Sequence, residues 1–588
     1  MKLHPSADAL HLQNPCLKKQ PMLLAVVQIA LIGIWAAALW GTDAYYSVYV
    51  FCAAAGIACV LQNLRCPGRS FEWKESFLLL LFSLWFASTT LFANYRLFIV
   101  KPALIRYVSA ALAMLGGTIA AYQVMWFAAR KIPLRMKQNR KYAPAKVYLW
   151  SFLLLETVYL VYLLGAAYPG YFTPDVFSSL QQIIDGVYVN DNPFWYAMSI
   201  KLISGIGRLL FGTMNGSMAF YVFCQGLFMA AVFSYVLVTL YQIGVPGWIV
   251  AAVGAVYGLL PYNMAYSVTM LKDIPFSISS LLFVVSLYRI IRNVGEKTTL
   301  NYVFFGIGAF IFCLMRTNGF ASFLVTMLVV LLLLRKSTKR VLVILVVVIL
   351  VLTWILTNPV LDHLNVGATD FVEGLAVPFQ QIARVITMGY ELEPQEYELL
   401  DRVFYVDMIP EVFMHGCVDP IKRAAFREDG RIHLTENWKE YVELWFQMAK
   451  KYPGEYVKAW IELTKGYWNG GYKYPIYFTG GENQAIGIVR PESLPLQGMF
   501  RNYFTFVESL IVSQPLYSIG LHAWILFGCL VLNIQKKRTE LVLAIPGIII
   551  LVGLWLGTPV YTEFRYAYPM ILSIPLVLCT TLYHKDQN

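Results

Sequence analysis

Apolar stretches long enough to cross a lipid bilayer recur along almost all of the 588 residues. Crossing the hydrocarbon core takes roughly 20 mostly apolar residues in a helix. Fourteen stretches read this way, starting near Met22, Tyr45, Phe77, Leu104, Val147, Ser217, Gly247, Ile274, Asn301, Asn318, Arg340, Glu508, Thr539 and Tyr566. A spanning segment must satisfy its own backbone groups, and a helix does so without a partner. The expected fold is therefore all-α, a polytopic membrane helix bundle. Hydrophobic residues make up 58% of the chain and charged residues 14%, which argues against a soluble multidomain protein. The residues before Gln20 are polar and lack a small-residue cleavage site before a short apolar core, so the first span is expected to direct insertion without cleavage.

The formal charge of +12 would suggest nucleic acid in a soluble chain, but here the basic residues fall in short loops between spans. That is the pattern of cytoplasmic loops in membrane proteins, and nucleic-acid binding is not expected. The densest cluster, Arg130, Lys131, Arg135, Lys137, Arg140, Lys141 and Lys146, anchors the topology on the cytoplasmic side. Later basic runs are Arg289-Arg292-Lys297, Arg335-Lys336-Lys339-Arg340 and Gln535-Lys536-Lys537-Arg538. All three fall inside only if the apolar stretch from Pro193 to Thr213 does not cross. Lys201 and Arg208 are seven apart, on one face of a helix, as suits a helix lying in the interface. An ordinary span with two snorkelling cations is the other reading. Arg96, Lys101 and Arg106 run against the scheme, since they surround a loop placed outside.

This arrangement divides the chain into a four-span segment, 1–146, and a membrane core with an outer loop and interfacial helix, 147–357. A helical extracytoplasmic domain, 358–505, and a three-span segment, 506–588, follow. The insert 358–505 carries 20 of the 34 acidic residues and 14 basic ones, so it is the one long stretch with an acidic excess. Apolar residues Trp438, Tyr441, Val442, Leu444, Trp445 and Met448 recur at near-helical spacing behind Leu434-Thr435-Glu436-Asn437. Pro453-Gly454 ends that helix before a second one through Tyr456, Trp460, Ile461 and Leu463. Six of the nine cysteines lie in spans and Cys417 stands alone in the insert, which excludes a disulfide framework there. Glu411 and His415 lack further ligands, so they read as a surface pair and not as a metal site.

Most of the candidate chemistry lies at expected outer ends of spans. In Tyr168-Pro-Gly-Tyr-Phe-Thr-Pro-Asp175, Thr173 can cap a helix that Pro174 begins and Asp175 favours electrostatically. Equally, Asp175 can be a carboxylate held over the headgroups to deprotonate a hydroxyl or hold a cation. Lys272-Asp273, Arg316, and Glu563 with Arg565 occupy corresponding positions. They can close hairpins as ion pairs, or Lys272, Arg316 and Arg565 can bind phosphate, for which arginine offers a bidentate fork. Asp273 reads as a second carboxylate of such a site. Glu156, mid-span, is costly to bury unpaired and reads as a hydrogen-bond partner. Trp468, Tyr472 and Tyr474 can stack on sugar rings or form an interfacial aromatic belt.

An acidic residue in the loop after a span, an interfacial helix, many spans and a domain in the C-terminal half together resemble the GT-C glycosyltransferases. These are integral membrane enzymes that use sugars carried on polyprenyl phosphate. Several strings also resemble an uncharacterised family of bacterial membrane proteins. They are the Asp175 segment, Lys272-Asp-Ile-Pro275, Arg316-Thr-Asn-Gly319, Val377-Pro-Phe-Gln-Gln381, Val418-Asp-Pro-Ile-Lys422, Lys451-Tyr-Pro453 and Gly466-Tyr-Trp468. The GT-C likeness implies Asp175 as catalytic base. GT-C members often carry His-Pro at the start of the interfacial helix, where this chain has Asn192-Pro193. Catalytic roles are expected for Asp175 and Asp273, and substrate contacts for Lys201, Lys272, Arg316, Trp468, Tyr472, Glu563 and Arg565.

The implied reaction moves a sugar from polyprenyl phosphate to a cell-surface glycan, lipid or protein acceptor at the outer face of a plasma membrane. No cofactor is assigned, and a divalent cation is left open. A surface-polysaccharide polymerase or ligase would use similar parts. A polar-lipid transporter or flippase would instead place charges near the midplane, between repeated or broken spans. The topology makes its own prediction. Single cysteines replacing Lys297 and Lys537 should resist a membrane-impermeant maleimide in intact cells, and labelling of either from outside would overturn the scheme.

Overall fold

The computed structural model describes residues 22–40, 45–65, 73–99, 101–131, 134–135, 141–295, 298–334, 336–473, 476 and 480–584. The expected N-terminal segment before Gln20, Lys137, Arg140, Lys297, Arg335 and Tyr474 lie outside the described residues. Helices dominate throughout, and among the described residues the only strands are four two-residue pieces. Eight helices are long and apolar enough to cross a membrane, as expected of a membrane protein. The pair Gly247–Leu259 and Pro261–Ser267, bent by 55° at the break between them, is either a broken span, which would make nine, or a re-entrant loop.

The count of fourteen spans is therefore not supported. Each of the fourteen stretches does carry an apolar helix, but five are short: Met22–Ala38, Thr299–Met315, Asn318–Leu333, Ile519–Gln535 and Ile545–Gly557. At 1.5 Å of rise per residue, such helices fall short of a hydrocarbon core of about 30 Å. Hydropathy alone does not reveal where they stop. The stretch expected from Glu508 starts as an apolar helix only at Ile519. Before it come the polar-faced helix Gln497–Ser509 and the short turn Gln514–Tyr517. The helix Phe194–Phe211 is not among the eight. It buries Phe194, Tyr196, Ala197 and Ile200 and leaves Lys201, Leu209 and Leu210 exposed.

The chain forms two compact units, Met1–Thr42 with Tyr49–Ile132, and Asp43–Val48 with Pro133–Asn588. In the first, the long helix Ala103–Lys131 packs along Met22–Ala38 and Trp73–Ala93. Its Gly116 faces the Leu31 carbonyl so closely that any Cβ there would collide, the small-residue contact that lets membrane helices approach. Trp35, fully buried, donates to Thr90, and Asn63 donates to Gln123 at 2.9 Å. Arg106 folds back to donate to the carbonyls of Ile99 and Lys101.

In the second unit, the helix Asp273–Arg292 is almost wholly buried, between Met214–Gln242, Thr298–Met315 and Phe564–Leu582. Its C-terminal end is basic, as the helix dipole favours. There Arg289 donates to Asn301, Thr239 and Gln242, and Arg292 to the buried Glu540. Its N-terminal end is met by a short parallel pairing of Tyr171–Phe172 with Thr269–Met270. That pairing fixes the Asp175 segment beside Lys272 and Asp273.

The insert has its own apolar core, built from Val372, Phe379, Val385, Leu400, Val403, Phe404, Leu444 and Met448. Helices form at Trp438–Lys451 and Pro453–Thr464, on either side of the expected break. Within it, buried Arg384 donates to Glu455 at 2.7 Å and also pairs with Glu462. His415 meets Glu462 at 2.9 Å, so its partner is this network and not Glu411.

Candidate functional site

Three helix starts converge on one point. Lys272 and Asp273 begin the helix Asp273–Arg292, Arg316 immediately precedes the helix Thr317–Leu333, and Arg565 lies in the first turn of Phe564–Leu582. Three cations thus stand at the ends where the helix dipole is already positive, an arrangement unfavourable on its own. Carboxylates offset it. Arg316 is paired with Asp273, whose side chain is 0% exposed, and Arg565 Nε is paired with Glu563. Arg565 Nη1 lies 3.6 Å from Asp175 Oδ2 and 3.9 Å from Asp273 Oδ2, and Lys272 Nζ lies 3.6 Å from the same Asp175 oxygen.

Asp175 belongs to the helix Pro174–Asp185, and here the expectation of a cap needs correction. Thr173 makes no side-chain capping bond, and its Oγ1 is buried without a hydrogen-bond partner. The strand pairing of Tyr171–Phe172 already sets the entry angle of the chain. Asp175 points at Lys272 and Arg565, with its side chain 38% exposed against 16% for Lys272. Asp175 is therefore the accessible carboxylate and Asp273 the buried one.

Sequence reasoning missed Tyr566 and Tyr467 as contributors and noted Asn192 without giving it a role. Asn192 accepts from Lys272 Nζ at 2.5 Å and donates to the Asp175 carbonyl at 3.2 Å, joining the two segments. Its place just before Pro193, where the GT-C pattern often has histidine, was the signal available. Tyr566 lies with both arginines at 4.8 Å from its ring, and its hydroxyl accepts from Arg565 at 3.1 Å. Tyr467 accepts at its hydroxyl from the Glu563 amide at 3.3 Å and shares a hydrogen bond with Thr558.

The remaining expected residues lie elsewhere. Lys201 is exposed and, among the described residues, meets only the Tyr188 hydroxyl, at 3.4 Å. Trp468 is buried, stacked on Trp460 with centroids 6.0 Å apart, and its carbonyl accepts from Trp524. Its ring is part of the packing and is not offered to a sugar. Tyr472 is half-buried under Lys465. Glu563 is buried and acts on Arg565, which makes it an orienting group.

Burial pushes the Lys272 ammonium below the usual lysine range, while Asp175 and Asp273 pull the other way. Burial also raises the Glu563 carboxyl, against the lowering by Arg565. A cavity of about 210 Å³ reaches Arg316, walled by Phe194, Trp195, Phe320 and Trp354. The donor set does not fit a divalent cation, because Asp175 and Asp273 face ammonium and guanidinium groups that would repel one. Among the described residues, no group of three or more His, Cys, Asp or Glu side chains is arranged to hold a metal ion.

Residues 185–588 match the Family of unknown function DUF6020. The chain belongs to that family. The match covers Lys272, Asp273, Arg316, Glu563 and Arg565 and begins after Asp175. No curated protein and no solved structure matches the chain.

The buried pair yields a stability prediction. Asp273→Asn leaves Arg316 without its buried partner, a change that typically costs about 3–5 kcal/mol. The Asp273→Asn, Arg316→Gln double variant should lose less than the sum of the two single variants. Thermal denaturation in detergent measures this, and additive losses would show that the pair is not coupled.

Proposed function

We propose that this membrane protein transfers a sugar, or a similar group, from polyprenyl phosphate to a hydroxyl acceptor at the extracytoplasmic face. The observation that carries this reading is the half-exposed Asp175 facing Lys272 and Arg565 beside a second, buried carboxylate. In the proposed reaction Asp175 takes the proton of the acceptor hydroxyl, whose oxygen forms the new bond to the sugar. The bond from sugar to phosphate breaks, and the phosphate leaves with the electron pair.

Lys272 Nζ and Arg565 Nη1 are the cations suited to receive that phosphate, because their 3.6–3.9 Å contacts to carboxylates are too long for hydrogen bonds. Arg316, committed to Asp273, has the role of holding the buried carboxylate in place. The extracytoplasmic placement rests on the basic loops at the far end of the same helices. A polymerase or ligase of surface polysaccharide would use the same groups on a different donor.

The bent pair Gly247–Leu259 and Pro261–Ser267 favours a second reading, transport of a polar lipid, since transporters bind substrate at broken helices. Mass spectrometry of surface glycans and polyprenyl-linked sugars, with and without the protein, separates the two. A transferase changes the covalent structure of the glycan, whereas a transporter changes only where the lipid accumulates.

Asp175→Asn tests the base directly. It preserves side-chain shape but cannot accept a proton, so it should insert and fold as the parent does while transfer falls about 100- to 10,000-fold. Transfer at the parental rate would remove Asp175 from the chemistry.

A further inference from the structure

A second cavity, of about 480 Å³, has Tyr171 in its wall and none of the charged residues of the cluster described above. This is within the roughly 300–1,000 Å³ typical of small-molecule sites. Its walls are the span end at Tyr162 and Ala166, the strand residue Tyr171, Ala265, Arg490, and one face of the helix Gln497–Ser509. Aromatic rings form the apolar part, with Tyr162 4.9 Å from Phe500 and 5.4 Å from Phe504. Arg490 lies over Tyr171 at 4.9 Å.

The helix Gln497–Ser509 buries Phe500 and borders the cavity along one face. Gln497, Arg501, Thr505 and Glu508 fall at i, i+4, i+8 and i+11, on one face, and that face lines the cavity. Met499 and Phe506, on the opposite face, are exposed, Phe506 by 60%. Beyond the end of the helix, Ile511 and Val512 are exposed as well.

Charge decides what such a cavity would take. The cluster at Asp175 is formally balanced, three carboxylates against Lys272, Arg316 and Arg565. The cavity holds two guanidiniums, Arg490 and Arg501, against one carboxylate, Glu508, and among the described residues neither guanidinium is in an ion pair. Two arginines lining one cavity in excess of its single carboxylate suit a phosphate, which the guanidinium fork binds bidentately.

We infer that this cavity is a binding site for a phosphate-bearing amphiphile drawn from the bilayer, with its phosphate between Arg490 and Arg501 and its chain along Phe500, Phe504 and the exposed face of the neighbouring span. The inference does not depend on the transfer reaction, since binding here needs neither Asp175 nor turnover.

The test uses the full chain in nanodiscs of phosphatidylcholine doped with phosphatidic acid, with retained lipid read by native mass spectrometry after gentle release. The parent should retain phosphatidic acid, and Arg490→Ala and Arg501→Ala should each weaken retention about tenfold, the loss expected for a charge-assisted contact. Thr505→Trp, which fills the cavity and keeps both charges, should weaken it comparably. Added inorganic phosphate should compete poorly, because it lacks the chain. Retention unchanged in the alanine variants would overturn the site, and unchanged retention in Thr505→Trp would overturn the cavity as its place. Equal competition by inorganic phosphate would overturn the amphiphile as ligand. An alanine variant that fails to fold is replaced by Arg501→Gln, which keeps hydrogen-bond donors and stem packing, with the same loss expected.

Discussion

The arrangement around the buried carboxylate of Asp273 governs much of what surrounds it. A charge fully withdrawn from water is tolerated only with a close partner, and Arg316 supplies one. The pairing holds the break between two apolar helices against the start of a third. Arg565 approaches from a fourth direction and is itself restrained by Glu563 and Tyr566. Because each cation sits at a positive helix end, its carboxylates offset an unfavourable interaction there. The cluster is therefore mutually dependent, and the exposed member, Asp175, is held by electrostatics set up behind it.

The insert takes part in this from a distance. The segment leading to Glu563 and Arg565 is gripped by the insert at successive points. Trp460 donates to the Trp555 carbonyl at 2.7 Å, Lys422 to Pro559 at 3.1 Å, and the Val418 amide to Val560 at 3.2 Å. Thr562 in turn donates to Leu463 at 3.0 Å, and Tyr467 receives the Glu563 amide. A domain with its own apolar core thereby sets the position of a short loop, and through it the guanidinium of Arg565. Several motifs that looked distinctive in the sequence have this structural job. Gln380 and Gln381 bind the backbone at Met414 and Tyr456, and Lys451 binds Glu393 at 2.9 Å.

What the sequence disclosed follows from which signals are local. Helical periodicity and the break at Pro453-Gly454 are local, and both were legible. The six charged residues of the cluster were legible as well, because a charge at the end of an apolar stretch stands out against its surroundings. Span length was not, since a hydropathy window runs past the point where a helix ends. The role of Trp468 was not either, because an aromatic ring in a glycine-rich loop reads the same whether it faces solvent or stacks on Trp460. Asn192 stood out in the sequence only as the residue before Pro193, and its bridging role was not legible. Its importance lies in joining residues 17 positions before it and 80 positions after it, and no local pattern reports that.

The two cation-rich places differ in a way that bears on how each could work. At the cluster every cation faces a carboxylate, so an incoming anion must compete with groups already in place, and binding there would rearrange the contacts around Asp175. Such competition suits a site where charge develops during a reaction, because the cations are held ready without being saturated by the resting ligand. At the cavity, Arg490 and Arg501 exceed the one carboxylate, and aromatic rings provide an apolar wall. A ligand there displaces no ion pair among the described residues, which suits steady occupancy over turnover. The strand Tyr171–Phe172 is linked to both, with Tyr171 on the cavity wall and Asp175 four residues further along the chain. Its register with Thr269–Met270 is therefore the shared element: a shift of that short pairing would move the cavity wall and the accessible carboxylate together.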